Sequence, residues 1–216
     1  MHKTVKNLIY IEELIKSKAN HDKLAKIIAV SKTFPIENIL PLIEHGHLHY
    51  GENKVQEALE KWNKVKAEKQ EINLHLIGKL QTNKVKFAIK IFDYIHSLDS
   101  TKLAKKIAEE EIRQSKKVKI FIQVNLANET QKSGVQISQL NELYRYAVNL
   151  NLNIIGLMCI PPESEDPSKY FQKLNLLNDK LGLNELSMGM SSDFIEAIKN
   201  QATFIRIGSN IFGSRS

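Results

Sequence analysis

Lys32 ends an apolar run near the start of the sequence, in the segment KIIAVSKTFP at 26–35. Such a run is typical of a buried strand, and a lysine is rarely buried unless a partner compensates its charge. A lysine in a desolvated site loses its proton more readily and becomes a nucleophile that forms a Schiff base with an aldehyde. The alternative is a lysine at a strand end whose side chain extends to solvent.

Two later segments combine glycine with hydroxyl side chains, namely GMSS at 189–192 and GSN at 208–210. Glycine allows close backbone approach, and the free N–H groups at a helix start bind phosphate. The simpler alternatives are a helix N-cap for Ser191 or Ser192 and a plain turn for Gly208. Pyridoxal 5′-phosphate (PLP) carries both an aldehyde and a phosphate, so it would satisfy the lysine and both loops.

The elements that must position these residues alternate along the chain. Segments that read as strands are 26–33, 48–52, 73–78, 92–98, 117–126, 152–160, 185–189 and 203–208. Helical patterns lie between them, and strands that alternate with helices form a parallel sheet. Eight such units predict a single (β/α)8 barrel, a TIM barrel, that forms one domain over 1–216, with an extra N-terminal helix. The alternative is an open doubly wound sheet, which more often carries a glycine-rich turn after its first strand, and VSKTFP has none.

In a barrel, the site lies at the carboxyl ends of the strands, and phosphate is often bound in the loops after the last two. The GMSS and GSN segments occupy those two places in the predicted order. This coincidence favours phosphate binding over the capping alternative.

Composition narrows the class of protein. The net charge is +7, but the lysines are interleaved with glutamates, as on solvated helix faces, so we do not expect a nucleic-acid partner. No stretch is long and apolar enough for a membrane span. The N-terminal segment contains acidic residues and does not read as a signal peptide. With one cysteine, Cys159, these features predict a cytoplasmic protein.

A metal site is suggested by the segment HGHLH at 45–49. His47 and His49 would share a strand face, with His45 nearby, but no cysteine or carboxylate stands at a suitable spacing to complete a ligand set. We interpret these histidines as surface or packing residues and predict no metal.

Eight segments together resemble the pyridoxal phosphate homeostasis protein family. They are AVSKT, YGENKVQEALEK, LHLIGKLQTNKVK, IHSLDS, QKSGV, GLMCIPP, LSMGMSSDFIEAI and RIGSNIFG, and they lie in collinear order from about 26 to 213. The resemblance implies a barrel similar to the N-terminal domain of bacterial alanine racemase, with PLP bound through a Schiff base.

The resemblance also implies roles for individual residues. Lys32 would carry the Schiff base, and Arg206 would face the pyridine nitrogen and keep it unprotonated, which weakens the ring as an electron sink. The other cofactor-binding residues would be Asn53, Ile77 and Met190 beside the ring, and Ser191, Gly208 and Ser209 at the phosphate. The sequence departs from the usual family pattern at Lys54, Lys79 and Thr82, and it leaves open whether Lys132 makes a second PLP contact.

Two functions remain open at this point. A PLP-dependent amino-acid racemase needs a base on each face of the substrate, and Lys32 could serve only one. In alanine racemase a tyrosine from a separate domain serves the other face, whereas this sequence ends at Ser216, and Tyr50 is expected to be packed. We therefore expect a monomer, not an enzyme, that binds PLP reversibly and buffers it or delivers it to PLP-dependent enzymes lacking their cofactor.

Overall fold

The computed structural model describes residues 1–18, 24–129 and 133–213. The strands, in chain order, are β1 (Lys26–Val30), β2 (His49–Glu52), β3 (Asn73–Leu76), β4 (Tyr94–Leu98), β5 (Lys119–Asn125), β6 (Val135–Gln136), β7 (Asn153–Met158), β8 (Glu185–Met190) and β9 (Phe204–Ile207). The helices are α1 (Lys3–Lys18), α2 (Ile36–Glu44), α3 (Val55–Glu68), α4 (Val85–Ile91), α5 (Thr101–Gln114), α6 (Ile137–Asn149), α7 (Ser168–Lys180), α8 (Phe194–Lys199) and α9 (Ser209–Phe212). A short 3-10 turn, Thr82–Lys84, leads into α4.

Parallel pairing closes the sheet into a barrel. Strand β1 pairs with β2 on one side and with β9 on the other, and β4 pairs with β5, so the ring runs β1-β2-β3-β4-β5-β7-β8-β9. The two-residue β6 makes a separate pairing with β5. The predicted eight-stranded barrel is confirmed, and the open-sheet alternative is wrong.

Several boundaries differ from those that the sequence predicts. The first strand was expected to reach Thr33 but ends at Val30, because the chain turns there and Thr33 adopts a left-handed backbone conformation with φ of 68°. The last predicted strand ends at Ile207, one residue early. Strand β6 and helix α9 were not predicted, since two and four residues are too few to show a period.

Apolar residues fill both the barrel and the layer around it. Inside the barrel, a cluster forms from Ile28, Tyr94, Phe121, Met158 and Phe204. The predicted N-terminal helix exists as α1, and it packs against α2, α8 and α9. Its buried apolar side chains are Val5, Leu8, Ile11 and Ile15. Among the described residues, no helix has the length and apolar character that a bilayer crossing requires.

Candidate functional site

A cavity of about 530 Å³ lies where the carboxyl ends of several strands meet. Strands β1, β2, β3, β8 and β9 each contribute a residue at or just beyond their ends, as barrel sites generally require. The residues predicted to bind a cofactor all line it: Lys32, Asn53, Ile77, Met190, Ser191, Arg206, Gly208 and Ser209. The fold thus brings these residues together, while the role of each toward a cofactor stays a prediction.

Lys32 stands in the turn that follows β1. Its side chain is half-buried on the cavity wall, and the preceding Ser31 is fully buried. The Ser31 N–H donates to the carbonyl of Gly51 at 3.0 Å, which continues the β1–β2 pairing by one residue before the chain turns. Lys32 is therefore presented from the end of a paired strand.

The two glycine–serine loops contact each other at one side of the cavity. The Gly208 N–H donates to Ser191 Oγ at 3.3 Å, and Asn210 Nδ2 donates to the Ser191 carbonyl at 3.0 Å. Helix α8 begins only at Phe194, with Asp193 preceding it, so the interpretation of Ser191 or Ser192 as its N-cap is wrong. Gly208 directly precedes α9, which leaves backbone N–H groups at the start of that helix without intrahelical acceptors.

Gly78 brings two other segments of the cavity wall together. A Cβ built at this position would lie 2.3 Å from the carbonyl oxygen of Asn53, a distance that no side chain tolerates. The absence of a side chain lets the segment after β3 lie against the segment after β2. Ile77 and Asn53 consequently share one side of the cavity.

Arg206 is buried at the base of the cavity with only 4% of its surface exposed. Its Nη1 donates to Ser187 Oγ at 2.8 Å and its Nη2 donates to the Cys159 carbonyl at 2.9 Å. Two fixed acceptors hold the planar guanidinium in one orientation. Burial raises the pKa of the Cys159 thiol to about 12, so this cysteine stays protonated and unreactive.

Behind Arg206, a chain of three histidines crosses the barrel interior. His96 Nδ1 lies 2.8 Å from Ser187 Oγ, His96 Nε2 lies 2.9 Å from His75 Nδ1, and His75 Nε2 lies 2.9 Å from His49 Nδ1. Because Ser187 accepts from Arg206, its hydroxyl proton is free to bond His96, and His96 and His75 then each donate from Nε2. Burial is the largest cause that lowers the pKa of His75 and His96 well below 6.5, which keeps both rings neutral.

The histidines near β2 do not form the arrangement that the sequence suggested. His47 precedes β2, so only His49 lies on the strand, and His47 Nε2 lies 2.9 Å from the His49 carbonyl. Within the described ranges, no group of three or more histidine, cysteine or acidic side chains is placed to hold a metal ion. Tyr50 is fully buried against Trp62, as expected.

Sequence reasoning missed four further lining residues, Val30, Phe34, Ile160 and Gly213. Ser192, which also lines the cavity, belongs to the GMSS segment predicted to bind phosphate, and Ile160 follows an apolar strand, so its position could have suggested it. Phe34 reaches the cavity rim where it stacks on Phe212 of α9, with ring centroids 5.0 Å apart. That contact joins two turns far apart in sequence, and no local pattern indicates it.

Three positions raised by the sequence lie away from these contacts. Lys79 borders a neighbouring hollow of about 340 Å³ that also reaches Asn53 and Ile77. Lys54 and Thr82 are not among the residues that line the main cavity. Lys132 lies outside the described residues.

Comparisons with known proteins agree with this geometry. Residues 11–216 match the family model "Alanine racemase, N-terminal domain". The pyridoxal phosphate homeostasis protein of Aquifex aeolicus is 40% identical over 95% of this chain and 93% of its own length. The Escherichia coli protein of the same name is 34% identical over 88% of this chain and 85% of its own length.

Solved structures extend the likeness. PipY of Synechococcus elongatus, solved with PLP bound, is 31% identical and superposes with a TM-score of 0.87 over 97% of this chain and all of its own. Alanine racemase of Clostridium difficile shares the fold with a TM-score of 0.72 at 16% identity, over 99% of this chain and 57% of the enzyme. The fold is thus that of the alanine racemase N-terminal barrel, and the chain belongs to the pyridoxal phosphate homeostasis protein family.

Proposed function

We propose that this protein binds PLP reversibly in the main cavity and serves to buffer it or deliver it to other proteins, without turnover of amino acids. The observation that carries the proposal is the joint placement of Lys32, Arg206 and the Ser191–Gly208 contact around one cavity of about 530 Å³. Lys32 would supply the nucleophile for the aldehyde, and Arg206 would supply an N–H donor for the ring nitrogen. The hydroxyl of Ser191 and the N–H of Gly208 would bind the phosphate. The bound PLP of PipY supports the same assignment.

Lys32 is the proposed covalent anchor. Its neutral Nζ would add to the aldehyde carbon, and one water molecule would leave as the carbon–nitrogen double bond forms; hydrolysis reverses the step. Ser191 Oγ, the Gly208 N–H and the residues at the start of α9 would hold the phosphate oxygens. Asn53, Ile77 and Met190 would border the ring.

The lack of turnover follows from the other groups around the cavity. Of the described residues that line it, Lys32 is the single one whose side chain can serve as a base at neutral pH; Arg206 stays protonated, and the others are apolar, amide, hydroxyl or glycine. Racemisation needs a second base on the opposite face. The Arg206 guanidinium, which two acceptors hold in place, is also far too weak an acid to protonate a ring nitrogen, and an unprotonated ring is a weaker electron sink.

Four further properties belong to the same proposal. We place the protein in the cytoplasm, since its cysteine is a free, buried thiol, as is usual in reducing compartments. We take residues 1–216 to form one domain and the protein to act as a monomer. Its partners would be PLP and enzymes that receive PLP.

The test begins with the absorption spectrum of the purified protein in PLP. We expect a band near the visible edge that borohydride reduction abolishes, with the reduced label on the peptide containing Lys32. The loaded protein is then mixed with a PLP-dependent enzyme lacking its cofactor, and recovery of that enzyme's activity is followed.

A parallel screen measures racemisation, decarboxylation and transamination of amino acids. Steady turnover that Lys32→Ala abolishes would show that the protein is an enzyme. A label found mainly on another lysine would refute the assignment of Lys32.

A further inference from the structure

Lys32 stands between two residues that helix α3 holds through their backbones. Lys61 Nζ donates to the carbonyl of Ser31 at 2.9 Å. The Thr33 N–H donates to Glu57 Oε1 at 2.6 Å. Glu57 and Lys61 are one helical turn apart on α3 and contact each other at 3.0 Å. Two side chains on one face of α3 therefore bond the backbone on both sides of Lys32.

Hydrogen bonds to Glu52 in turn tie these two helix contacts to the barrel. Glu52, at the end of β2, is fully buried, and its Oε1 accepts from Lys61 Nζ at 2.9 Å and from Ser31 Oγ at 2.7 Å. Trp62 Nε1 donates to the same oxygen at 2.9 Å. Only 8% of the Lys61 side chain is exposed, so this charge pair is desolvated and geometrically constrained.

The turn at Ser31–Thr33 has a backbone conformation that its sequence does not favour. Thr33 has φ of 68°, in the left-handed region that β-branched residues disfavour. The Phe34 N–H donates to the Ser31 carbonyl at 3.1 Å, and the Thr33 N–H donates to the Glu57 carboxylate. Burial works against the charged form of Glu57, but the Thr33 N–H and Lys61 outweigh it and lower its pKa, so the carboxylate is ionised at neutral pH.

We propose that Glu57 and Lys61 are positioning residues that fix the Ser31–Thr33 turn so that the Lys32 amine meets the aldehyde of PLP. This inference rests on the proposed function. Neither residue lines the cavity, and the loops proposed to hold phosphate follow β8 and β9, whereas α3 packs against β2 and α4. Loss of these helix contacts should therefore weaken the covalent binding of PLP through Lys32 and leave the contacts to the ring and the phosphate intact.

Two probes separate these effects. PLP has the aldehyde, while pyridoxine 5′-phosphate has the same ring and phosphate with an alcohol in its place. We expect Glu57→Ala to weaken binding of PLP about tenfold, the factor that corresponds to one charge-assisted hydrogen bond, with binding of pyridoxine 5′-phosphate unchanged. Glu57→Gln keeps an oxygen for the Thr33 N–H but loses the charge that pairs with Lys61, so it should recover only part of the loss.

The matched control is Glu60→Ala, which removes an exposed carboxylate from the same helix, where it bonds Gln56. It should change the binding of neither probe, and circular dichroism checks that each variant is folded. Equal effects of Glu57→Ala and Glu60→Ala on PLP would overturn the inference, as would a loss of both probes in Glu57→Ala. If Glu57→Ala does not fold, a Glu57→Gln protein that binds pyridoxine 5′-phosphate normally and PLP more weakly than wild type supports the inference, and one with unchanged PLP affinity overturns it. A wild-type protein that binds neither probe would instead refute the proposed function.

Discussion

Acidification from pH 7 to pH 5 should destabilise this protein through four of its histidines. Burial, chiefly, lowers the pKa of His47 to about 4 and that of His49 to about 4, and it lowers the pKa of His75 and His96 well below 6.5. In the unfolded chain each histidine has its ordinary pKa near 6.5. Below that pH the unfolded chain takes up protons that the folded chain refuses.

The sign and size of the effect follow from this difference. The free energy of unfolding has its full value above pH 6.5, and it falls as the pH drops toward the pKa that each histidine has in the folded protein. Between pH 7 and pH 5, His47 and His49 should each remove about 2 kcal/mol. His75 and His96 act in the same direction, while Asp99, whose pKa burial raises, acts in the opposite one. A total stability of roughly 5–15 kcal/mol makes such a loss large.

The assay is urea unfolding at pH 7, 6 and 5, followed through the fluorescence of Trp62, the single tryptophan, which is fully buried. His47→Gln should reduce the loss by about 2 kcal/mol, because it removes one group whose proton uptake differs between the two states. The control is His45→Gln, at an exposed position of the same segment, which should behave like wild type. A flat stability between pH 7 and pH 5, or equal slopes for the two variants, would refute the reasoning.

Three further changes test the site and the barrel. Lys32→Ala should abolish the absorption band of bound PLP and the borohydride label, because the proposed anchor is gone. Ser209→Glu should weaken PLP binding by about 100-fold or more, measured by titration, since a carboxylate beside the proposed phosphate position adds like-charge repulsion. Gly78→Ala should lower the free energy of unfolding by about 2–3 kcal/mol in urea, because its Cβ would lie 2.3 Å from the Asn53 carbonyl oxygen.

Each change has a matched control. Lys54→Ala removes an exposed lysine that does not line the cavity and should leave the absorption band in place. Ser17→Glu adds the same charge on the exposed side of α1 and should leave PLP affinity unchanged. Gly208→Ala adds a Cβ that meets Val30 at an ordinary 3.5 Å and should alter the stability little. A Ser209→Glu protein with normal affinity would contradict the phosphate assignment.

Local pattern was sufficient for the barrel and for the location of the site. Short apolar runs such as Ile27–Val30 alternate along the chain with helical spacings such as that of Leu140, Leu143 and Ala147, and run length together with period separates strand from helix. Parallel strands must then place their carboxyl ends at one edge. The residues that follow those ends, Lys32 and the two glycine–serine loops among them, are therefore expected at that edge whatever their detailed contacts.

Only the tertiary structure decided which side chains contact each other inside that frame. His49, His75 and His96 come from three neighbouring strands, and whether they form a chain depends on the strand register, which no single segment specifies. The hydrogen bonds of Glu57 and Lys61 to the turn around Lys32 likewise join a helix face to a strand end. In the sequence alone, each of these two residues is typical of an ordinary surface charge. Periodicity is a property of neighbours in sequence, whereas register and side-chain direction arise when distant segments pack, so these contacts appear only in the folded protein.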